Sequence, residues 1–100
     1  MRETKKMKQP KKKYKCFCCG YYTFEENVII NHDICPVCAW ENDGIQNFNH
    51  TFCGGANEVS LNEARENFKL FDVSNKDYLD LVRKPREDEK EGLDDWTEFG

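Results

Sequence analysis

The sequence predicts a small metal-stabilised α+β domain, in which a β-hairpin with two cysteine knuckles is packed by one longer and one shorter C-terminal helix. Three observations predict it. Cys16 and Cys19 form one C-x-x-C pair and Cys35 and Cys38 another, and residues 20–34 between them give the spacing at which two tight turns face one tetrahedral ion. Strand-forming residues follow the first pair and precede the second. Two helix-capping signals, at Ser60 and Ser74, open the segments with helical periodicity.

In chain order, residues 1–13 form a basic arm. Between Met1 and Lys15 there are eight Lys or Arg against Glu3 alone, and this unperiodic, self-repelling stretch should be disordered. It could touch phosphate, but its lysines lack the interleaved Arg or aromatic residues of nucleic-acid arms, so a solvated tail is the simpler reading. Within the expected domain, residues 14–84, Tyr14 to Phe24 runs around the first cysteine turn. Tyr21–Phe24 and Val28–Ile30 read as the two strands of a short hairpin turning at Glu25-Glu26-Asn27, the zinc-ribbon arrangement. Gly20 and Pro36 suit the two knuckles, Gly by taking positive φ freely and Pro by its preset φ. Trp40 is expected over the sulfurs, excluding water.

Residues 45–57 show no helix or strand pattern, so that loop should be pinned by Phe48 and Phe52. Ser60-Leu61-Asn62-Glu63 is a capping box for a helix from Leu61 to about Phe71, with Leu61, Ala64, Phe68 and Phe71 on one stripe. Ser74-Asn75-Lys76-Asp77 starts a shorter helix carrying Tyr78, Leu79, Leu81 and Val82 to Lys84, and Pro85 ends it. Residues 85–100 form an acidic tail, two positive charges against seven negative, with Leu93, Trp96 and Phe99 at steps of three. Such a tail suits either a segment that folds on a partner or one whose apolar residues rest on the domain.

The chemistry follows from the sulfurs. Four thiolates from Cys16, Cys19, Cys35 and Cys38 around Zn²⁺ leave no open position, so one structural zinc per chain is expected and catalysis is not. Six cysteines could instead form three disulfides, but Met1 to Lys15 has no apolar signal run, which favours a reducing cytoplasm and metal over disulfides. The net charge of −4, set against the basic arm, gives a domain that will not attract nucleic acid by itself. No stretch has the length of a membrane span. Cys18, Cys53, His32 and His50 could form a redox pair or second metal site, yet none has a spacing that demands metal, and packed or turn residues are the plainer reading. No phosphate loop and no paired base for a cysteine nucleophile can be placed, so the chain reads as a monomeric, non-catalytic module with an unknown protein partner.

Three separated motifs carry a resemblance. Cys16-Phe17-Cys18-Cys19-Gly20, then Cys35-Pro36-Val37-Cys38-Ala39-Trp40-Glu41-Asn42-Asp43-Gly44-Ile45-Gln46, then Gly54-Gly55-Ala56-Asn57-Glu58-Val59-Ser60-Leu61-Asn62-Glu63-Ala64-Arg65-Glu66-Asn67-Phe68 resemble the bacterial cysteine-rich CPCC domain family over about residues 14 to 72. Phe17 stands where that family's motif has Pro, which removes no ligand but leaves the turn less rigid. The resemblance implies the fold and the four cysteines and no activity. The pairs also resemble the iron site of rubredoxin, which would make the chain an electron carrier. Ala39 where rubredoxin has Gly, and a shorter gap, weigh against iron.

Overall fold

The computed structural model describes residues 14–25 and 32–90. The basic arm 1–13, the expected strand Val28–Ile30 and tail residues Leu93, Trp96 and Phe99 lie outside the described residues. Element order is β1 (Tyr14–Lys15), β2 (Tyr22–Phe24), α1 (Gly44–Phe48), α2 (Leu61–Phe71), a 3-10 helix at Lys76–Leu81 and a 3-10 turn at Glu87–Glu89.

Among the described residues, β2 pairs with the chain that precedes the first knuckle, while its expected partner Val28–Ile30 is outside them. β1 and β2 pair antiparallel, Tyr14 opposite Phe24 and Lys15 opposite Tyr22, with an irregularity between Tyr14 and Lys15. The loop between them is therefore the first knuckle itself, because a C-x-x-C turn reverses the chain within six residues and brings its own flanks together. The Cys16 N–H donates to Tyr21 O (2.9 Å) and the Gly20 N–H to Cys16 O (2.9 Å). The second knuckle repeats this pattern: Cys35 N–H to Trp40 O (2.9 Å), Ala39 N–H to Cys35 O (2.8 Å). An isolated bridge from Ile34 to Glu41 closes it.

Both knuckles end in the left-handed region, Gly20 at φ 84° and Ala39 at φ 71°. At position 39 a side chain tolerates this; at position 20 an added Cβ would meet nothing within 4 Å. Gly20→Ala should therefore fold and bind as the parent does, losing only about 1 kcal/mol from the backbone preference. Urea unfolding of the metal-loaded variant checks this, and a loss beyond about 3 kcal/mol would show that the site is crowded in a way the structure does not contain.

The long loop contains an element the sequence concealed. Residues 44–48 form a one-turn helix capped by Asp43, whose Oδ1 accepts from the N–H groups of Ile45 (2.8 Å) and Gln46 (3.3 Å). Phe48 and Phe52, expected to pin the loop, are largely exposed. Phe48 nonetheless meets Phe17 edge-on, ring centroids 5.3 Å apart. The pin is the fully buried Gln46. Its two Nε2 N–H groups are shared among the carbonyls of Phe52 (3.1 Å), Asn57 (3.1 Å) and Val59 (3.0 Å), while Oε1 accepts from the Asn57 N–H (3.0 Å) and Nδ2 (3.0 Å). A loop with little apolar content must satisfy its backbone internally once it is covered, and one primary amide placed centrally does so. Gly55 fits here because a Cβ would lie 2.6 Å from Asp43 Oδ2.

α2 follows the expected stripe: Ser60 Oγ accepts from the Glu63 N–H (3.1 Å), Leu61 and Ala64 are fully buried, and Phe68 lies edge-on to Tyr21 at 6.5 Å. Phe71 turns outward and takes the Lys76 ammonium 5.0 Å over its ring. The shorter helix departs from expectation. It is a 3-10 helix that stops at Leu81, its cap is Asn75 (Oδ1 from the Asp77 N–H, 3.0 Å), and it buries no residue. Ser74, expected to cap it, is instead buried with its N–H on Cys38 O (2.7 Å).

Beyond Lys84 an ion pair ties the chain back to the residues before it. Glu89 is buried and takes both Arg83 Nη1 (2.9 Å) and Nη2 (2.7 Å), together with the Arg86 N–H (2.8 Å). The charged hydrogen bonds from Arg83 hold the Glu89 carboxyl below the usual carboxylate range against its own desolvation. The helix has already stopped at Leu81, and the Arg83–Glu89 pair ties the chain together across Pro85. The core gathers Phe17, Phe24, Val37, Trp40, Leu61 and Ala64 around the cysteines, so sulfur sits at its centre.

Candidate metal centre

Cys16, Cys19, Cys35 and Cys38 bring their four sulfurs within 4.8 Å of one another. Cys16, Cys35 and Cys38 are at most 1% exposed, and Cys19 is half-buried. All six cysteines carry free thiols. Two edges of the cluster measure 3.6 Å (Cys16 to Cys38) and 3.7 Å (Cys19 to Cys35). A tetrahedron with metal–sulfur bonds of about 2.3 Å has edges of about 3.8 Å, which these two edges match, so the four sulfurs could hold a metal ion.

The surroundings supply donors for anionic sulfur. The N–H groups of Cys18 and Val37 point at Cys16 Sγ and Cys35 Sγ, each at 3.4 Å, and the Trp40 N–H at Cys38 Sγ, also 3.4 Å. Thr23, buried on β2, places its hydroxyl 3.2 Å from Cys35 Sγ. The Trp40 ring is fully buried, its indole N–H donating to Asn47 Oδ1 (2.9 Å). This second layer orients the sulfurs and stabilises their charge.

Without a cation the four sulfurs cannot all ionise. Burial pushes the Cys16 and Cys38 thiols well up. At Cys19 the hydrogen bond with Cys16 pulls down, but Cys35, Cys38 and burial outweigh it and the thiol is raised. At Cys35 burial pushes up, yet hydrogen bonds with Cys16, Cys19, Cys38 and Thr23 prevail and its thiol is strongly lowered. Filling the cluster with a cation must therefore expel thiol protons. Those protons are products of loading, so raising pH favours the bound state and lowering it favours release. Apparent affinity should fall by at least about tenfold per pH unit on acidification, as read by competition with a chromophoric chelator between neutral and mildly acidic pH. An affinity that is flat across that window would contradict proton-coupled thiolate ligation.

The remaining candidates lie apart. Cys18 is buried among the core residues, Cys53 and His32 are exposed, and His50 is half-buried with its carbonyl on the Asn62 N–H (3.0 Å). Among the described residues, none of these joins the four-sulfur group. Sequence reasoning missed Thr23, the donor to Cys35, since a strand threonine twelve residues from the sulfur it serves carries no local signal.

A family model described as cysteine-rich CPCC matches residues 14–89, from the start of β1 through the buried Glu89. No curated protein matches the chain. Among the described residues, no helix is long and apolar enough to cross a membrane.

Proposed function

The chain belongs to the cysteine-rich CPCC family, and we propose that it is a non-catalytic protein-interaction module built on one structural zinc ion held by Cys16, Cys19, Cys35 and Cys38. The observation that carries this reading is the gathering of four sulfurs within 4.8 Å of one another in the core. Four protein ligands complete the coordination of Zn²⁺, leaving no position for water or substrate. Zinc suits the site because four thiolates in a tetrahedron satisfy an ion without geometric preference of its own, and a core this small gains its stability from the metal.

The interaction half of the reading draws on exposed apolar side chains. Leu79, Leu81 and Ile34 are at least half exposed. A groove of about 470 Å³ between α2 and residues 82–85 is lined by Tyr21, Val37, Phe68, Phe71 and Leu79, with Lys84 at its edge. Exposed apolar surface of this kind marks contact sites in small domains.

The deciding experiment is elemental analysis of the full chain expressed in medium containing both zinc and iron. One zinc per chain in a colourless protein is the expected result. A red protein with one iron per chain would establish the electron-carrier alternative, and a folded protein without metal would overturn both.

A further inference from the structure

The two knuckles are gripped from outside in a corresponding way. In the first, the peptide joining Phe17 to Cys18 directs its N–H at Cys16 Sγ (3.4 Å) and its carbonyl at Arg65 Nε of α2 (2.8 Å). In the second, the peptide joining Pro36 to Val37 directs its N–H at Cys35 Sγ (3.4 Å) and its carbonyl at the Arg83 N–H (3.1 Å). Each peptide thus relays a donor from the C-terminal half of the chain to the first sulfur of its pair. The donors are unlike. On the second knuckle it is a neutral main-chain N–H, and the Arg83 guanidinium is occupied by Glu89. On the first it is the guanidinium itself.

We propose that Arg65 is a positioning residue for the metal centre: its cation on the Phe17 carbonyl polarises the peptide, strengthens the N–H···S bond to Cys16 and offsets the negative charge of the loaded site. A zinc ion with four thiolates carries a net charge of −2, and placing that charge in a core is costly unless donors and cations face it. Hydrogen bonds in a chain polarise one another, so a charged donor on the carbonyl strengthens the N–H on the far side of the same peptide. Arg65 is half-buried, which reduces solvent screening of its charge. Lys at this position keeps the charge and one donor; Met keeps the length of the stem and neither.

This inference rests on the metal-centre reading, and the test separates the two. Zinc release to a chromophoric chelator, and the reduction potential of the iron-substituted protein, are compared for the parent, R65M, R65Q and R65K as full chains. R65M and R65Q should release zinc about 10- to 100-fold faster than the parent, as loss of an outer-layer partner does. Their iron forms should have more negative potentials, because removing a nearby cation disfavours the added electron, and R65K should lie close to the parent in both. A purely packing role for Arg65 would leave the potential unmoved. If R65M fails to fold, R65Q against R65K decides by the same two readouts. Neutral variants that hold one ion with the parent's release rate and potential overturn the role of Arg65 alone. A parent chain that takes up no metal overturns the metal-centre reading and, with it, this inference.

Discussion

Cys35→Ser should leave the chain without metal and unfolded at 25 °C, whereas Cys53→Ser should leave both metal content and stability unchanged. Cys35 has no exposure and faces Cys19 Sγ at 3.7 Å, with the Val37 N–H and the Thr23 hydroxyl also directed at its sulfur. Structural zinc sites contribute about 10–16 kcal/mol of apparent binding free energy, as much as the roughly 5–15 kcal/mol net stability of an ordinary domain. Losing one of four ligands therefore removes stabilisation that the rest of the fold cannot replace. The same holds for Cys16, Cys19 and Cys38, and stripping the parent with a strong chelator should give the same unfolded spectrum. Cys18→Ser is the control that counts most, because Cys18 is buried beside the cluster without belonging to it. It should retain one ion per chain and lose about 1–3 kcal/mol for the buried hydroxyl. Metal content and far-UV circular dichroism of the six variants read all of this. A Cys18→Ser protein without metal, or a Cys35→Ser protein with it, would refute the ligand set.

Gln46→Leu should destabilise the metal-loaded chain by about 3 kcal/mol or more, while Phe52→Ala costs about 1 kcal/mol or less. Leucine fills most of the volume but answers none of the polar contacts that the Gln46 amide makes with Phe52, Asn57 and Val59. Its loss strands buried backbone groups, each worth about 1–3 kcal/mol when unpaired. Phe52 is 41% exposed, so its ring yields little on truncation. Urea unfolding in excess metal, which keeps ligand linkage constant, measures both. Equal losses for the two variants would return the loop to the apolar pinning that its composition suggested.

These effects mark how far local signals carry. The cysteine spacing named four residues 16, 19, 35 and 38 that the fold places within 4.8 Å, because a C-x-x-C turn is decided by its own few residues. The capping box at Ser60 and the stripe beginning at Leu61 and Ala64 located α2 for the same reason. Failure came where a partner is distant. Composition made 45–57 a featureless loop, since a one-turn helix has too few residues for periodicity and Gln46 reads as a surface residue until its acceptors are known. The pairing of Tyr22–Phe24 with Tyr14–Lys15 was not legible, because a strand after a knuckle can pair forward or backward and only β1 on the far side of the turn shows the backward pairing. The shorter helix stops at Leu81, short of the expected Lys84, and the pairing of Arg83 with Glu89 across Pro85 could not be inferred from two charges among many.

By itself, the sequence determined the features set by neighbours along the chain: both cysteine turns, the start and length of α2, and the four cysteines that could hold a metal ion. Only the tertiary structure decided how the turns are held, through the Thr23 hydroxyl on Cys35, Arg65 behind Cys16 and Ser74 on the Cys38 carbonyl. The reason is physical. A turn or helix cap is won by contacts a few residues apart, whereas a buried polar group is satisfied by whichever partner the whole packing brings to it.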